Sequence, residues 1–136
     1  MLARAVGVLE SKAIHKLLRE KGWSKLTDVQ FRAIPVIKEG CNTVIVAPTG
    51  YGKTEAALLP ILDEMVKMGE EIKPITLLYI TPLRALINDL YERVRWWAER
   101  LGFRVARKHG DVPRSERTGD CVEHPIYLSQ RQKALK

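Results

Sequence analysis

The sequence predicts an α/β fold in which helices flank a parallel sheet. Three observations predict it. Short β-branched and aliphatic runs are typical of buried strands, longer segments with apolar residues three and four apart are typical of amphipathic helices, and the two kinds alternate along the chain. This alternation favours parallel strands joined by right-handed helical crossovers. The few strand-like runs indicate an incomplete sheet.

The first half of the chain opens with two predicted helices. The first covers residues 11–21, and the second starts at Thr27 or Asp28 and ends before Gly40, with Pro35 expected to kink or shorten it. A strand buried on both faces is predicted over Thr43–Ala47, because these residues form a short, mostly β-branched apolar run. A helix over Lys53–Met68 follows a glycine-containing loop.

The second half repeats the alternation. A buried strand is predicted over Ile75–Ile80, a long helix over residues 82–102 and a third strand over residues 103–107. A further apolar run at residues 125–129 is compatible with a strand. We find no internal repeat and no low-complexity segment.

Composition indicates a globular domain with an anionic partner. The 136 residues are 46% hydrophobic and 29% charged, and the net charge of +7 favours nucleic acid as that partner. No apolar run reaches the roughly 20 residues that span a bilayer. Cys41 and Cys121 do not suggest a disulfide framework, and we expect a cytoplasmic protein.

The stretch "APTGYGKTE", residues 47–55, has the pattern of a phosphate-binding loop. It follows a predicted strand directly and opens a helix, which is where parallel sheets bind ligands. Gly50 and Gly52 allow successive N–H groups to converge, and the helix N-terminus adds its positive dipole end. Lys53 would hold the outer phosphates, and the Thr54 hydroxyl would bind Mg²⁺. The alternative is a glycine turn that precedes a helix by chance.

The same residues resemble motif I of the superfamily 2 helicases of DEAD and DExH type. Upstream, "GWSKLTDVQFRAIP" resembles their Q motif, although this chain has Ala13 and Ile14 where that family has a further aromatic residue. The resemblance implies a RecA-like domain that binds ATP and Mg²⁺, with Gln30 reading the adenine edge. The implied nucleotide contacts are Gln30, Pro48, Thr49, Gly50, Tyr51, Gly52, Lys53, Thr54 and Glu55.

Two later segments are similar to nucleic-acid contacts of the same enzymes. "TPLRALINDL" resembles motif Ia, and "KHGDVPRSER" is similar to a Gly-Asp segment of large helicase-related (Lhr-like) archaeal helicases. A pairing of His109 with Asp111 at a metal is the less favoured interpretation. The implied single-strand contacts are Pro82, Leu83, Arg84, Ala85, His109, Gly110 and Asp111.

The acidic motif that completes such a motor is not recognisable. Asp63 and Glu64 form the one candidate pair, but they lie about 15 Å along the helix from Lys53 and are expected to be an exposed acidic pair. Cys121 and His124 have no second ligand pair for zinc. We therefore expect an N-terminal helical segment (1–21), the front of a helicase ATP-binding domain (22–116) and a divergent tail (117–136).

The sequence thus predicts the N-terminal fragment of an ATP-dependent helicase that binds ATP and contacts single-stranded nucleic acid but does not turn over ATP alone. One alternative is a non-enzymatic nucleotide-binding module, or a split-helicase subunit that needs a partner chain. Another is an unrelated phosphate-loop kinase, against which the Q motif argues. Whether the chain is a truncated or frame-shifted product or a genuine split subunit stays open.

Overall fold

The computed structural model describes residues 7–82, 84–108 and 126–130. The chain divides into two compact units, residues 1–69 and 70–136, and each is described by itself. The segment boundaries that the sequence suggests at residues 21 and 116 stay predictions.

The first unit contains three α-helices, and all three were predicted. Helix α1 is Lys12–Glu20, α2 is Asp28–Lys38 and α3 is Lys53–Met68, followed by a short 3₁₀ helix, Gly69–Glu71. Helix α2 packs against α3. The apolar positions spaced three and four apart on these helices form the buried core together with Leu9, which precedes α1; the helical members include Ile14, Leu17, Leu18, Ile34, Leu58, Leu59, Leu62 and Met65.

Helix α2 tolerates its internal proline. Pro35 was expected to kink or shorten the helix, and the early stop does not occur, because α2 continues to Lys38 and ends before Gly40 as predicted. The carbonyl of Pro35 still accepts a hydrogen bond from the Glu39 N–H at 3.0 Å. Only the amide hydrogen that proline lacks is lost, so the last turn forms.

A carboxylate from α3 caps the start of α1. The Ser11 side chain makes no capping hydrogen bond. Instead, the Asp63 carboxylate accepts from the backbone N–H groups of Ser11 at 2.8 Å and Glu10 at 3.0 Å, and from Lys38 Nζ at 2.7 Å. Asp63 is fully buried, so the expectation of an exposed acidic pair is wrong for Asp63, while the Glu64 side chain is 48% exposed.

The segment Thr43–Ala47 differs most from its prediction. The structure assigns no strand there, and Val44 and Val46 are 89% and 90% exposed. Within the described residues no strand pairs with this segment, since the only ladders join three strands of the second unit. The β-branched residues therefore give this segment a propensity for strand structure, but a buried strand forms only where neighbouring strands pair with it.

The second unit confirms the parallel sheet. Its strands are β1 (Leu77–Thr81), β2 (Val105–Lys108) and β3 (Ile126–Gln130), in the order β1-β3-β2 with both pairings parallel. The helix α4, Arg84–Arg100, connects β1 to β2 and contacts all three strands. Its buried residues are Ile87, Leu90, Val94, Trp97 and Ala98.

Strand β1 is buried on one face only. Leu77 and Thr81 are buried, whereas Leu78 and Ile80 are nearly half exposed, so the expectation of a strand buried throughout is wrong. The strand also begins two residues later than predicted. Ile75 precedes it with a φ of 57°, a left-handed conformation that does not fit a strand.

Candidate nucleotide-binding site

The glycine loop adopts the backbone that its residues predict. Gly50 and Gly52 have φ angles of 86° and 74°, which residues with a Cβ rarely adopt. Gly52 is the residue that precedes α3, so the loop delivers the chain to the helix N-terminus. A Cβ on Gly52 would also overlap the Gln30 Nε2 atom and lie 3.2 Å from its Cδ. Glycine is therefore required at this position by both conformation and space.

The N-terminus of α2 is hydrogen-bonded to this loop. Thr27 Oγ1 donates to the Tyr51 carbonyl at 3.0 Å, and Gln30 Nε2 donates to the Gly52 carbonyl at 3.3 Å. Thr27 and Gln30 also form a reciprocal capping box, in which each side chain accepts from the backbone N–H of the other. One pair of side chains thus begins α2 and fixes the loop backbone.

The contacts of Gln30 leave part of its amide for a ligand. Oε1 accepts one hydrogen bond, from the Thr27 N–H, and Nε2 donates one, to the Gly52 carbonyl. A primary amide has two lone pairs on oxygen and two hydrogens on nitrogen. One acceptor site and one donor remain, which is the set that pairs with the amino and ring nitrogens of adenine. Gln30 is only 1% exposed, so this edge of its amide is covered in the structure and must become accessible before a base can pair with it.

Lys53 is held by the loop itself. Its Nζ donates to the carbonyls of Ala47 at 2.6 Å and Pro48 at 2.8 Å. These contacts place the ammonium group inside the turn formed by residues 47–52. An ammonium group there is positioned to meet an anion held by the loop amides.

The other predicted loop residues lie along the same turn. Pro48, Thr49, Gly50 and Tyr51 are exposed, Thr54 is half-buried in the first turn of α3, and Glu55 is buried. Within the described residues no group of three His, Cys, Asp or Glu side chains could hold a metal ion. Thr54 fits the part of a single oxygen ligand to Mg²⁺ whose other ligands come from phosphates and water.

Asp63 does not belong to this site. Both of its oxygens are bound at the N-terminus of α1, and burial would raise its pKa. The hydrogen bond from Lys38 and those from the Glu10 and Ser11 N–H groups outweigh burial, and the pKa of Asp63 is lowered. A carboxylate so fully occupied is structural, as its distance along the helix from Lys53 suggests.

The predicted nucleic-acid contacts are described in part. Pro82 follows the last residue of β1 and is exposed, Arg84 is the first residue of α4, and Ala85 beside it is exposed. These positions lie at the carboxyl end of β1, as predicted. Leu83, His109, Gly110 and Asp111 lie outside the described residues, as does the side chain of Arg84.

One cluster near this sheet edge was missed by sequence reasoning. Arg107, on β2, donates from Nη1 to Asn88 Oδ1 at 3.0 Å, and its guanidinium lies 4.4 Å from the centroid of the Tyr91 ring. Asn88 and Tyr91 are on α4, nearly twenty residues away in sequence. No local pattern signals a contact between a strand and a distant helix face, so only the fold reveals it.

The parallel sheet with its flanking helices is part of a RecA-like fold, and solved structures agree. A hypothetical ATP-dependent RNA helicase from Sulfolobus tokodaii matches 92% of this chain with a TM-score of 0.78 at 28% identity, and the match covers 35% of that chain. Helicase Lhr from Mycobacterium smegmatis, solved with single-stranded DNA and AMP-PNP, matches 92% of this chain with a TM-score of 0.77 at 25% identity and is itself covered to 17%.

The chain belongs to the DEAD/DEAH box helicase family, whose sequence profile matches residues 27–135. It is similar to the ATP-dependent helicase Lhr-Core of Saccharolobus solfataricus, with 36% identity over 126 residues. That match includes 90% of this chain and 14% of the relative, so the chain spans a small part of the curated protein that it resembles. In the described residues no helix is long and apolar enough to cross a membrane.

Proposed function

We propose that this chain forms the nucleotide-binding front of a helicase motor domain, which binds ATP with Mg²⁺ and contacts single-stranded nucleic acid. The observation that carries the proposal is the linkage of Thr27 and Gln30 to the glycine-loop carbonyls of Tyr51 and Gly52. A loop that only turned the chain into a helix would not need a buried amide fixed against its backbone. Family membership supports the same function.

Different residues of the site are proposed to contact different parts of ATP. The N–H groups at the start of α3 and the helix dipole favour phosphate oxygens, and Lys53 supplies the charge. Gln30 offers one donor and one acceptor to the adenine edge. Bound Mg²⁺ would neutralise phosphate charge, with Thr54 as its protein ligand.

Contact with single-stranded nucleic acid is proposed for the segment between β1 and α4. Arg84 at a helix N-terminus suits a phosphate partner, because a guanidinium can bind two phosphate oxygens at once. Pro82, Leu83 and Ala85 complete this segment, and His109, Gly110 and Asp111 are proposed to contact the same strand. The net charge of +7 supports an anionic partner.

Thermal unfolding of the purified chain with and without ATP and Mg²⁺ tests nucleotide binding. A ligand at about 100 times its Kd stabilises the folded state by about 2.7 kcal/mol, so a shift of several degrees is expected for the wild-type chain. Lys53→Ala should lose most of the shift, because the charge on the outer phosphates is gone.

Lys16→Ala is the matched control. It also removes one lysine from the first unit, but Lys16 is an exposed residue of α1 that pairs with Glu20 on the same helix. Its nucleotide-dependent shift should equal that of the wild-type chain. Equal shifts in all three proteins would show that ATP does not bind through the loop.

A further inference from the structure

We infer that Arg107, held by Asn88 and Tyr91, is a phosphate-binding residue for single-stranded nucleic acid at the carboxyl edge of the sheet. The inference rests on the proposed function and extends it, because none of these three residues is among the contacts that the motif resemblance implies, although Asn88 lies within the stretch that resembles motif Ia. They lie on β2 and α4 of the second unit, and we call them the Arg107 cluster.

The position of the cluster suits a ligand. Arg107 is the last residue but one of β2, and Asn88 is the fifth residue of α4, which starts three residues after β1 ends. Parallel sheets bind ligands at the carboxyl ends of their strands. The cluster is therefore at the same edge as the proposed contacts Pro82 and Arg84.

The partners of Arg107 fix its side chain and leave its charge in place. Asn88 Oδ1 accepts one of five N–H groups, and the guanidinium carbon Cζ lies over the Tyr91 ring. Both partners are neutral. Within residues 7–82, 84–108 and 126–130, no ion pair joins Arg107 to a carboxylate. A fixed, charged guanidinium with spare donors suits a phosphate, since little side-chain entropy is lost on binding.

A neighbouring arginine shows what a purely structural pairing looks like. Arg95 lies 6.0 Å from the centroid of the same Tyr91 ring, but its Nε donates to Glu99 Oε1 at 2.6 Å. That carboxylate raises the pKa of Arg95 and neutralises its charge locally. Both arginines thus lie near the same aromatic ring, but only the guanidinium of Arg95 is hydrogen-bonded to a carboxylate.

The ligand chemistry favoured by the cluster is a polymer of phosphates. A single guanidinium held by neutral partners offers too few contacts to retain a free phosphate in water. It gains importance where neighbouring contacts bind the same chain, because each neutralised phosphate releases counterions and adds to the affinity. The basic composition of the whole chain agrees with such a partner.

The test measures the binding of a fluorescein-labelled single-stranded DNA oligonucleotide to the full chain by anisotropy across a salt series. Arg107→Gln should weaken binding about fivefold at low salt and reduce the slope of log K against log salt by about 0.7, the value for one phosphate contact on a single strand. Asn88→Ala should weaken binding less and leave the slope unchanged, because the charge remains. Arg95→Gln removes the same charge and should bind like the wild-type chain.

The outcomes separate this inference from the proposed function. Loss of binding in Arg84→Gln with none in Arg107→Gln overturns the inference and leaves the function standing. Equal losses of affinity in Arg107→Gln and Arg95→Gln would show only an effect of net charge and would also overturn the inference. The inference is likewise overturned if inorganic tripolyphosphate competes for binding as effectively as unlabelled oligonucleotide. Absence of binding by the wild-type chain overturns this inference and the proposed nucleic-acid contact, and leaves ATP binding to its own test. Circular dichroism of each variant checks folding, and Arg107→Lys, which keeps the charge without the planar stack, should retain the salt slope.

Discussion

Replacing the buried carboxylate of Asp63 by an amide tests the assignment of this residue to the fold. Asp63→Asn preserves the side-chain shape and removes the negative charge. The carboxylate now accepts three hydrogen bonds, from Ser11, Glu10 and Lys38. An asparagine has one acceptor oxygen, and its NH₂ group would face a donor on the other side.

The expected loss of stability follows from those contacts. Removing one partner of a buried ion pair typically costs about 3 to 5 kcal/mol. Lys38 keeps two other carboxylates within reach, Glu10 at 3.1 Å and Glu64 at 3.7 Å, which lessens the cost. Because the Lys38 side chain is only 12% exposed, water cannot fully replace Asp63 as its hydrogen-bond partner. We therefore expect a decrease of about 2 to 3 kcal/mol in the free energy of unfolding.

Urea denaturation of wild-type and variant chains measures this difference, and Glu64→Gln is its control. Glu64 is next in sequence and also pairs with Lys38 and Lys67, but it is half exposed, so its substitution should cost less than about 0.5 kcal/mol. Similar losses in both variants would refute the cap at α1. Stabilisation by ATP should persist in Asp63→Asn. If that stabilisation disappeared, Asp63 would have to be assigned to the nucleotide site.

The stability contributed by Asp63 should also depend on pH. Its folded-state pKa is lowered below the usual value of 3.8, so the unfolded chain takes up a proton first as pH falls. The contribution is complete above the unfolded pKa and is lost as pH falls through the folded pKa. The difference between wild type and Asp63→Asn should therefore be constant near neutral pH and shrink below about pH 4. A constant difference down to acidic pH would contradict the ion pair.

Two further predictions concern Gln30 and Ile75. Gln30→Ala removes the remaining donor and acceptor for adenine. The ratio of ATP affinity to GTP affinity in competition binding should therefore fall toward one, from a wild-type preference of at most about 3 kcal/mol. An unchanged ratio would rule out adenine reading by Gln30. Ile75→Asn replaces a half-exposed β-branched residue at a φ of 57° by one that tolerates the left-handed region, and should stabilise the chain by about 1 kcal/mol in thermal unfolding. Ile75→Val keeps the strain and should gain nothing, and a gain equal to that of asparagine would refute the explanation.

The features that sequence predicts well are those set by local chemistry. The bounds of α1, α2 and α3 follow from apolar spacing and from caps such as Thr27, which the structure confirms to within a residue or two. The turn through Gly50 and Gly52 follows from the backbone freedom of glycine. The parallel sheet is confirmed because alternating strands and helices leave few other topologies.

The features that sequence misses depend on residues far apart in the chain. Asp63 caps a helix that starts about fifty residues earlier, so its burial is not visible in the pattern of its own helix. Val44 and Val46 have a strand pattern whose outcome depends on neighbouring strands. Arg107 was part of a predicted strand, and only its contact with Asn88 gives it a candidate role.

The hydrogen bonds of Lys53 to its own loop set the reference state for nucleotide affinity. The carbonyls of Ala47 and Pro48 accept two of the three ammonium hydrogens, so phosphate oxygens that take more than the third must replace these carbonyls. The observed binding free energy is therefore an exchange energy, smaller than the full attraction between lysine and phosphate. Lys53→Ala removes both sides of that exchange, since its loop loses the internal contacts as well as the contact with ligand. The affinity ratio of wild type to variant thus gives a lower bound on the lysine–phosphate interaction.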